Sequence, residues 1–448
     1  MPHELKEFAR VFKEAGRKCY IVGGAVRDGL LGRPVSDYDA ATDAPPEEVR
    51  RLFRKVIPTG IEHGTVTVLW KGRSIETTTF RRDVGYSDGR RPDRVEFGAS
   101  LEEDLERRDF TINAMALDPL GGELADPHDG RGDLERGLMR AVGDPAARFE
   151  EDGLRPLRAV RFASQLGFEI EERTLAAIPG ALPRFRLVSA ERVRVELEKI
   201  LLSPAPSRGF LLMEGCGMLA SALPELASCR GVEQKGFHRF DVLDHLLSST
   251  DAAPRDLVLR LAALLHDAGK PETKALGSDG VATFYRHEEA SARIADRVMR
   301  RLRFPNGVMA EVLHLIRQHM FFYEDSWSDA AVRRFLARVG PENVERLFAL
   351  RLADGAGMLG EPVDPRSLDP LRRRVDRVLA EQEALSLKDL AVGGTELARA
   401  GIPKGPAMGK ILAELLEAVL DDPEQNTAER LLAIATNLKP KYGIREEE

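Results

Sequence analysis

A pair of carboxylates follows a double glycine near the beginning of the chain. Gly23-Gly24 ends a short apolar run, and Asp37 and Asp39 follow within the next 15 residues. Residues i and i+2 of a strand point to the same face, so these two carboxylates are expected to converge. Convergent carboxylates can hold the metal ions of nucleotidyl transfer, and glycine N–H groups before a helix can contact phosphate. The pattern predicts a nucleotidyl-transfer site; the alternative is a glycine turn beside a solvated Asp-x-Asp.

The segment Val22–Thr42, VGGAVRDGLLGRPVSDYDAAT, resembles the signature of class II tRNA nucleotidyltransferases and the related bacterial poly(A) polymerases. The resemblance implies that Asp37 and Asp39 bind Mg²⁺ in a two-metal reaction. Glu76, on a predicted strand, is a candidate for a third carboxylate. The resemblance also implies that the triphosphate and sugar are held by Gly24, Arg27 and Arg108.

The segment Arg107–Ala116, RRDFTINAMA, is similar to the second motif of that family. Adjacent arginines can reach phosphate or ribose, and Asp109 and Asn113 are expected on one helical face because they are four residues apart. The resemblance implies that both belong to the nucleotide-binding site. The alternative is a set of surface ion pairs.

The segment Glu150–Phe162, EEDGLRPLRAVRF, carries the residues expected to read the base. Its spacing predicts one broad helical face for Asp152, Arg155 and Arg158. Asp152 offers acceptors and Arg155 offers donors, so together they can pair with the edge of cytosine or adenine. The resemblance implies that protein side chains, and no nucleic acid template, select the nucleotide, with Arg158 and Arg161 nearby. A plain i,i+3 salt bridge is the alternative.

Two features flank this base-reading segment. Pro156 replaces the bulky apolar residue usual in the family, which leaves the local helix geometry open. Ser189 is expected to cap a helix in a segment similar to the family's neck motif. There the resemblance implies that Glu191 and Arg192 brace the nucleotide-binding helix.

Histidines cluster in the second half of the chain, where six of the nine lie between residues 238 and 319. The run Leu261–Lys270, LAALLHDAGK, resembles the HD superfamily of metal-dependent phosphohydrolases. There a divalent ion activates water for attack on a phosphoester. The resemblance implies a ligand set of His245, His266, Asp267 and Asp354. His287 and His319 are candidates for a second metal or for phosphate, and Lys270 is suited to phosphate.

Composition limits the class of protein that can present these groups. The chain has 448 residues, 43% of them hydrophobic, which predicts about three domains with real cores. A net charge of −7 argues against a uniformly basic nucleic-acid coat and leaves room for local arginine groups. The three cysteines are far apart in the sequence, which favours a protein of the reducing cytoplasm. The sequence contains no stretch of about 18 apolar residues, so we expect no membrane helix.

The elements that must position these residues follow from periodicity. We expect a helix over residues 1–17, a strand leading into Gly23 and a helix that ends at Gly32. A hairpin is expected over residues 65–81 around Lys71-Gly72, with a mobile surface loop over 81–97. Helical periodicity dominates after residue 141. The predicted fold class is α+β: a nucleotidyltransferase head with a small mixed sheet (1–140), then a helical neck (141–230), an HD domain (231–360) and a helical tail (361–448) that is a candidate for tRNA binding.

The resemblance implies template-independent addition of CCA, or of its terminal A, to the 3′ end of tRNA from CTP and ATP. In the family, enzymes that add the A retain a flexible element where Arg81–Pro92 stands here, and its presence argues against a CC-only enzyme. The alternatives are an A-adding enzyme with a separate CC-adding partner, a poly(A) polymerase, against which the HD module argues, and an HD phosphohydrolase acting on nucleotide or RNA phosphoesters. Basic tail residues are candidates for contacts with tRNA, namely Arg372, Arg373, Arg374, Arg377, Lys404 and Lys410.

Overall fold

The computed structural model of the chain describes residues 1–84, 94–234, 239–276, 282–381 and 385–444. Contacts between Cα atoms divide it into two compact units. The first comprises Met1–Arg230 with Arg297–Pro305, and the second comprises Gly231–Asp296 with Asn306–Glu448. A mixed sheet lies in the first unit and helices dominate thereafter, so the predicted α+β class is confirmed.

The sheet of the first unit has seven strands in the order β3-β4-β5-β2-β1-β8-β9. Strands β2 and β5 are parallel neighbours, and the other adjacent pairs are antiparallel. The parallel pairing brings together two strands that are not consecutive, so it depends on the tertiary fold. The strands of this sheet are β1 Cys19–Val22, β2 Tyr38–Thr42, β3 Val56–Gly60, β4 Thr65–Trp70, β5 Arg73–Thr79, β8 Ala116–Leu117 and β9 Leu124–Ala125, while β6 Arg81–Val84 and β7 Arg94–Phe97 lie outside this sheet.

The hairpin β4–β5 turns at Lys71-Gly72, as predicted. Both residues have positive φ, 46° and 81°, which is the two-residue turn that matches the twist of antiparallel strands. The first helix, α1 His3–Glu14, buries Phe8 and Phe12 against other aromatic rings. The predicted helix at the beginning of the chain is therefore also confirmed.

The stretch expected to be a loop contains regular structure at both ends. Strand β6 pairs antiparallel with β7 in a separate two-stranded ribbon, so the prediction of a loop over the whole of 81–97 is wrong. The backbones of the two ends pair with each other over four positions, from Arg81 with Phe97 to Val84 with Arg94. Residues 85–93, which hold most of the element tied to A addition, lie outside the described residues.

Helices fill the rest of the first unit. A short parallel pair, β10 Leu138–Met139 with β11 Glu169–Ile170, is an exception to helical structure after the head. The helices that follow α1 are α2 Gly24–Leu30, α3 Pro46–Leu52, α4 Leu101–Glu106, α5 Gly130–Arg136, α6 Pro145–Glu151, α7 Arg155–Leu166, α8 Glu172–Phe185, α9 Ala190–Leu201, α10 Pro206–Gly215, α11 Met218–Ala222 and α12 Pro224–Ala227.

The base-reading segment is not one helix, which corrects the prediction. Helix α6 ends at Glu151, and Asp152 is extended with φ −140°. Gly153 is pressed against α8, because a Cβ there would lie 2.7 Å from the Arg184 carbonyl oxygen. Helix α7 then begins at Arg155 with Pro156 in its first turn, where a missing N–H costs nothing. The proline is thus accommodated, and Asp152 and Arg155 flank a turn.

The second unit is built from helices with one small hairpin, β12 Ala275–Leu276 with β13 Ala282–Thr283. None of the helices among the described residues is long and apolar enough to cross a membrane. Helices α13 to α23 are α13 Val242–Ala252, α14 Leu257–Leu265, α15 Lys270–Thr273, α16 His287–Arg301, α17 Asn306–Gln318, α18 Asp329–Val339, α19 Val344–Leu359, α20 Asp369–Ala380, α21 Gly394–Arg399, α22 Pro406–Asp421 and α23 Ala428–Leu438.

Candidate functional sites

The double glycine lies against the carboxylate pair and the second motif. Gly23 has φ +68°, and a Cβ on it would lie 3.7 Å from Asp39 Oδ2 and 3.3 Å from Arg108 Nη1. A Cβ on Gly24 would lie 3.5 Å from an Arg27 nitrogen. The tight turn between β1 and α2 therefore requires glycine and brings backbone N–H groups beside these charged side chains. Three separated sequence segments meet here, as the motifs predicted.

Negative charge accumulates around Asp39. In the sheet, Asp39 lies opposite Glu76 on the parallel strand β5, and Asp37 directly precedes β2. Desolvation, followed by the charges of Glu76 and Asp37, raises the pKa of Asp39, while Arg108 opposes the shift. An oxygen-only group of carboxylates whose charges repel one another fits a hard divalent cation.

A hydrogen-bonded chain links the first motif, the second motif and helix α7. Arg27 Nη1 donates to Asn113 Oδ1 at 2.8 Å, and Asn113 Nδ2 donates to Asp109 Oδ1 at 3.2 Å. Arg158 donates from two nitrogens to Asp109 Oδ2, at 2.6 and 2.8 Å. Although burial alone would raise it, the guanidinium groups of Arg158 and Arg155 lower the pKa of Asp109 to about 2. The Asp109 carboxylate is therefore held ionised, and its hydrogen bonds fix the orientation of Asn113 and Arg158.

Asp109 and Asn113 meet without the helix that the spacing predicted. Phe110 is extended, and Thr111–Asn113 forms a single 3₁₀ turn. The Phe110 backbone bridges to Ala141, which takes this segment out of helical geometry. The prediction of a helix at this point is therefore wrong, although the two side chains do touch.

The adjacent arginines of the second motif share one buried acid. Asp104 accepts from Arg107 at 2.7 and 3.0 Å and from Arg108 at 3.2 Å. Asp104 is buried, and although burial opposes the shift, both guanidinium groups lower its pKa. This acid on α4 thus directs Arg108 towards Gly23 and Asp39, and nothing in the motif spacing had singled it out.

The two residues expected to read the base, Asp152 and Arg155, are held by protein partners. Asp152 Oδ2 accepts from Arg192 at 2.6 Å, so Arg192 braces this segment as predicted. Glu191 pairs instead with Arg303, because its side chain lies on another side of α9. Arg155 donates to Glu151 and to the carbonyl oxygens of Arg148 and Arg107, the last two at 2.9 and 3.1 Å.

The remaining candidate of this segment, Arg161, lies deeper in the neck. It is buried and donates to Glu196 Oε2 at 2.7 Å and to Gln165 Oε1 at 3.1 Å. The ion pair between Arg161 and Glu196 connects α7 to α9. Ser189 stands at the first cap position of α9, but its side chain does not accept a capping hydrogen bond.

The second unit brings the predicted HD ligands together. His245 Nε2 lies 3.1 Å from His266 Nε2 and 3.2 Å from Asp267 Oδ2. Asp354 Oδ1 lies 3.3 Å from His245 Nε2 and 3.4 Å from His266 Nε2. Atoms bound at about 2.1 Å to one metal are roughly 3.0–3.4 Å apart, so these four side chains have the spacing of a coordination shell. The carboxylates, through hydrogen bonds that outweigh burial, raise the pKa of His245 to about 9, which shows that this cluster attracts positive charge.

The backbone fixes which ring nitrogen of three histidines faces the cluster. Nδ1 of His266, of His287 and of His319 lies 2.9, 2.9 and 2.7 Å from the carbonyl oxygens of Ala263, Phe284 and Ile316, respectively. A carbonyl oxygen can only accept, so each Nδ1 carries a proton, and in the neutral ring Nε2 keeps the lone pair that a metal ion would use. Such outer hydrogen bonds are the usual support of metal-binding imidazoles.

A second ligand group shares Asp267 with the first. Asp267 Oδ1 lies 3.0 Å from His287 Nε2 and 3.7 Å from His319 Nε2, and the two ring nitrogens are 3.4 Å apart. Both groups, His245–His266–Asp267 and Asp267–His287–His319, have ligand atoms close enough to hold an ion. Sequence order could not show that one carboxylate bridges the two groups, because that depends on four helices converging.

A cavity of about 460 Å³ opens onto this cluster. Lys270, expected to bind phosphate, is buried and lies 2.5 Å from Asp267 Oδ2, so it neutralises a ligand. Arg351 pairs with Asp354 at 2.8 Å. The wall also includes Phe284, Tyr285, Met320 and Met358. A phosphoester that entered this cavity would lie beside the cationic side chains of Lys270 and Arg351 and beside both metal-ligand groups.

The fold and the first site define the class of protein. Residues 19–140 match the poly(A) polymerase head domain, 167–230 the probable RNA- and SrmB-binding site of polymerase A, and 238–358 the HD domain. The chain is therefore a nucleotidyltransferase with an RNA-binding region and an HD domain. Nucleotidyltransferase and HD domains use divalent metal ions.

Full-length relatives make the assignment narrower. The chain is 37% identical over 429 residues to the CCA-adding enzyme of Limosilactobacillus fermentum, covering 95% of this chain and 94% of that protein. It is 35% identical to the CCA-adding enzyme of Lactiplantibacillus plantarum over 96% of this chain and 95% of that protein. It aligns with the Bacillus stearothermophilus CCA-adding enzyme in complex with CTP at a TM-score of 0.75 and 32% identity, over 99% of both chains. The chain belongs to the family of CCA-adding enzymes.

Proposed function

We propose that this chain adds CCA to the 3′ end of tRNA, or repairs that end, using CTP and ATP without a nucleic acid template. The observation that carries the proposal is the convergence of Asp39, Gly23 and Arg108 in a chain aligned end to end with a CTP-bound CCA-adding enzyme. The terminal 3′-hydroxyl of tRNA attacks the α-phosphate, and pyrophosphate leaves. Because tRNA is the substrate, we place the reaction in the cytoplasm.

In this proposal Asp37 and Asp39 hold Mg²⁺, which activates the attacking hydroxyl and stabilises the leaving pyrophosphate when bound. Gly24, Arg27 and Arg108 contact the triphosphate and sugar, with Arg108 directed by Asp104. Asp109 and Asn113 fix the direction of Arg27 and Arg158 through the hydrogen-bonded chain. Asp152 and Arg155 read the base, and their present partners Arg192 and Glu151 keep both groups ordered near the turn.

Three tRNA substrates separate the proposal from its alternatives. A tRNA lacking CCA should gain three nucleotides when CTP and ATP are both present, and a tRNA ending in CC should gain one A. An A-adding enzyme would extend only the second substrate, whereas a poly(A) polymerase would extend a finished CCA end further. Product length on a sequencing gel is the measurement, and failure to extend the first substrate would contradict CCA addition.

Replacing Arg155 by alanine should damage nucleotide selection more than tRNA affinity. The change removes the donors that we assign to the base and also the contact with the Arg107 carbonyl oxygen. We expect the preference for CTP and ATP over UTP and GTP to fall by about 10²-fold, as when a base loses its hydrogen-bonding partners. The control is Arg186→Ala, an exposed neck arginine bonded to Ser221. Unchanged preference in Arg155→Ala would disprove the assignment.

A second candidate function rests on the bridged metal-ligand cluster of the second unit. Two ligand groups beside a cavity with Lys270 and Arg351 favour hydrolysis of a nucleotide or RNA phosphoester. The metal would polarise the phosphoester and supply a hydroxide at neutral pH. Release of phosphate from such an ester, lost in His266→Ala, tests this function separately from CCA addition.

We assign the tail a supporting role in tRNA binding, on fewer basic groups than the sequence suggested. Arg374 and Arg377 pair with Asp329, at 2.7 and 2.6 Å, and Arg372 pairs with Glu345. Because these arginines are paired with acids of the same unit, they have less charge to offer to tRNA. The exposed Lys404 and Lys410 are better placed to meet phosphate.

A further inference from the structure

One buried aromatic ring contacts three arginines of the nucleotidyltransferase site. Phe162, on α7, is only 5% exposed. The guanidinium carbons of Arg27, Arg158 and Arg161 lie 4.9, 5.6 and 3.4 Å from the centre of its ring. All three distances are within the range of a cation–π interaction, in which the negative face of the ring attracts a cation.

The ring adds a contact to guanidinium groups that already have acidic partners, namely Asp28 for Arg27, Asp109 for Arg158 and Glu196 for Arg161. Arg27 and Arg158 lie at the two ends of the series of hydrogen bonds that runs through Asn113 and Asp109. Three guanidinium groups gathered around one ring repel one another, and these acids offset that repulsion. Hydrogen bonds fix the position of each guanidinium group. The flat face of the ring fixes the tilt of the guanidinium plane that lies against it.

The ring is itself held from the side of the second motif. Phe110 packs against Phe162 edge to face, with centres 5.9 Å apart and planes at 79°. Phe110 is completely buried and directly follows Asp109. Phe162 thus connects the backbone of the second motif on one side with the arginines of the first motif and of α7 on the other.

We propose that Phe162 is a positioning residue for the incoming nucleoside triphosphate. It holds Arg27 and Arg158 in the orientation in which their free N–H groups meet the nucleotide, and it does so through its aromatic face. The inference rests on the proposed function, because that assigns Arg27 to the triphosphate. An aliphatic side chain would fill much of the same space but could not attract or orient the guanidinium planes.

Steady-state kinetics of CTP and ATP addition test the proposal. We expect Phe162→Leu to raise KM about tenfold for CTP and for ATP alike, with kcat changed less than about threefold. Phe162→Tyr keeps the ring and should restore KM to within about twofold of the wild-type value. The matched control is Phe210→Leu, which removes a completely buried ring from α10 of the same unit. It should lower the melting temperature and leave both KM values unchanged.

Two further comparisons show which assignment fails if the expected kinetics are not observed. Equal kinetic losses in Phe162→Leu and Phe210→Leu would show a stability effect and overturn the positioning role. Arg27→Gln separates the inference from the function on which it rests. If Arg27→Gln raises KM but Phe162→Leu does not, the positioning role alone is overturned; if Arg27→Gln leaves KM unchanged, the assignment of Arg27 to the triphosphate fails.

Discussion

Replacing Asp39 by asparagine should reduce nucleotide incorporation by about 10³-fold or more while the protein remains folded. Asparagine keeps the size of the side chain but loses the charge that we expect to hold a divalent cation. Asp37→Ala should have a similar effect on incorporation while leaving tRNA binding largely intact. Single-nucleotide incorporation into tRNA under saturating CTP measures the loss.

The same substitution should not weaken the fold, and this separates a catalytic from a structural role. The folded protein raises the pKa of Asp39, by desolvation and by the charges of Glu76 and Asp37. A carboxyl group whose pKa is raised on folding opposes stability at neutral pH, above both its unfolded and its folded pKa. We therefore expect the melting temperature of Asp39→Asn to equal or exceed that of the wild type, as is common where a site is strained for function.

A neighbouring aspartate provides the matched control. Asp43 follows the same strand, and its Oδ1 accepts from the Lys18 backbone at 2.8 Å, away from Gly23 and Arg108. Asp43→Asn removes one negative charge near the same sheet and should keep nearly the full rate. A wild-type rate in Asp39→Asn, or equal losses in both variants, would show that Asp39 does not hold the catalytic metal.

The second large effect is expected in the other unit, where Asp267→Asn should abolish tight metal binding. Asp267 Oδ2 contacts His245, and Oδ1 contacts His287. One substitution thus removes a ligand from both groups, and we expect affinity for a divalent ion to fall by about 10²-fold or more. Metal content after dialysis against Mn²⁺ or Zn²⁺, with titration calorimetry, measures this loss; phosphoester hydrolysis should disappear with it.

Because Asp267 is buried among cations, its loss also costs stability. Although burial opposes the shift, His266 and Lys270 lower its pKa well below its usual value, so its charge stabilises the fold at neutral pH. A second variant therefore keeps the test decisive: His319→Gln removes a ligand from the group of His287 alone and should remove one ion of two. The exposed carboxylate of Asp376 on α20 serves as control in Asp376→Asn. Full metal content in Asp267→Asn would disprove the shared site.

Local sequence patterns identified residues that the structure brings together at the two candidate sites. A glycine pair before Asp37 and Asp39, an HD dipeptide at the end of an apolar helix, and the Lys71-Gly72 turn all depend on neighbours in sequence. Their conformations follow from short-range sterics and from the alternation of apolar residues, which one chain displays directly. For the same reason α1 and the β4–β5 hairpin could be predicted.

Local patterns failed where the backbone was set by a distant contact. The close approach of Gly153 to the Arg184 carbonyl oxygen ends α6 and separates Asp152 from the helix of Arg155. Similarly, the bridge from Phe110 to Ala141 replaces an expected helix with a 3₁₀ turn. Helical spacing describes faces within one element and contains no record of what packs against it.

The fold class, the family and the chemical types gathered at each site could be inferred from the amino-acid sequence. The partners of these groups depend on packing in three dimensions: Glu76 lies beside Asp39 through a parallel strand pair, Arg158 bonds to Asp109 across 49 residues, and one aspartate is shared by two ligand groups. It also placed Phe162 under three arginines. The physical reason is that charge pairing, desolvation and ring contacts act through space, and the packing of helices and strands sets which groups lie within their few ångströms of reach.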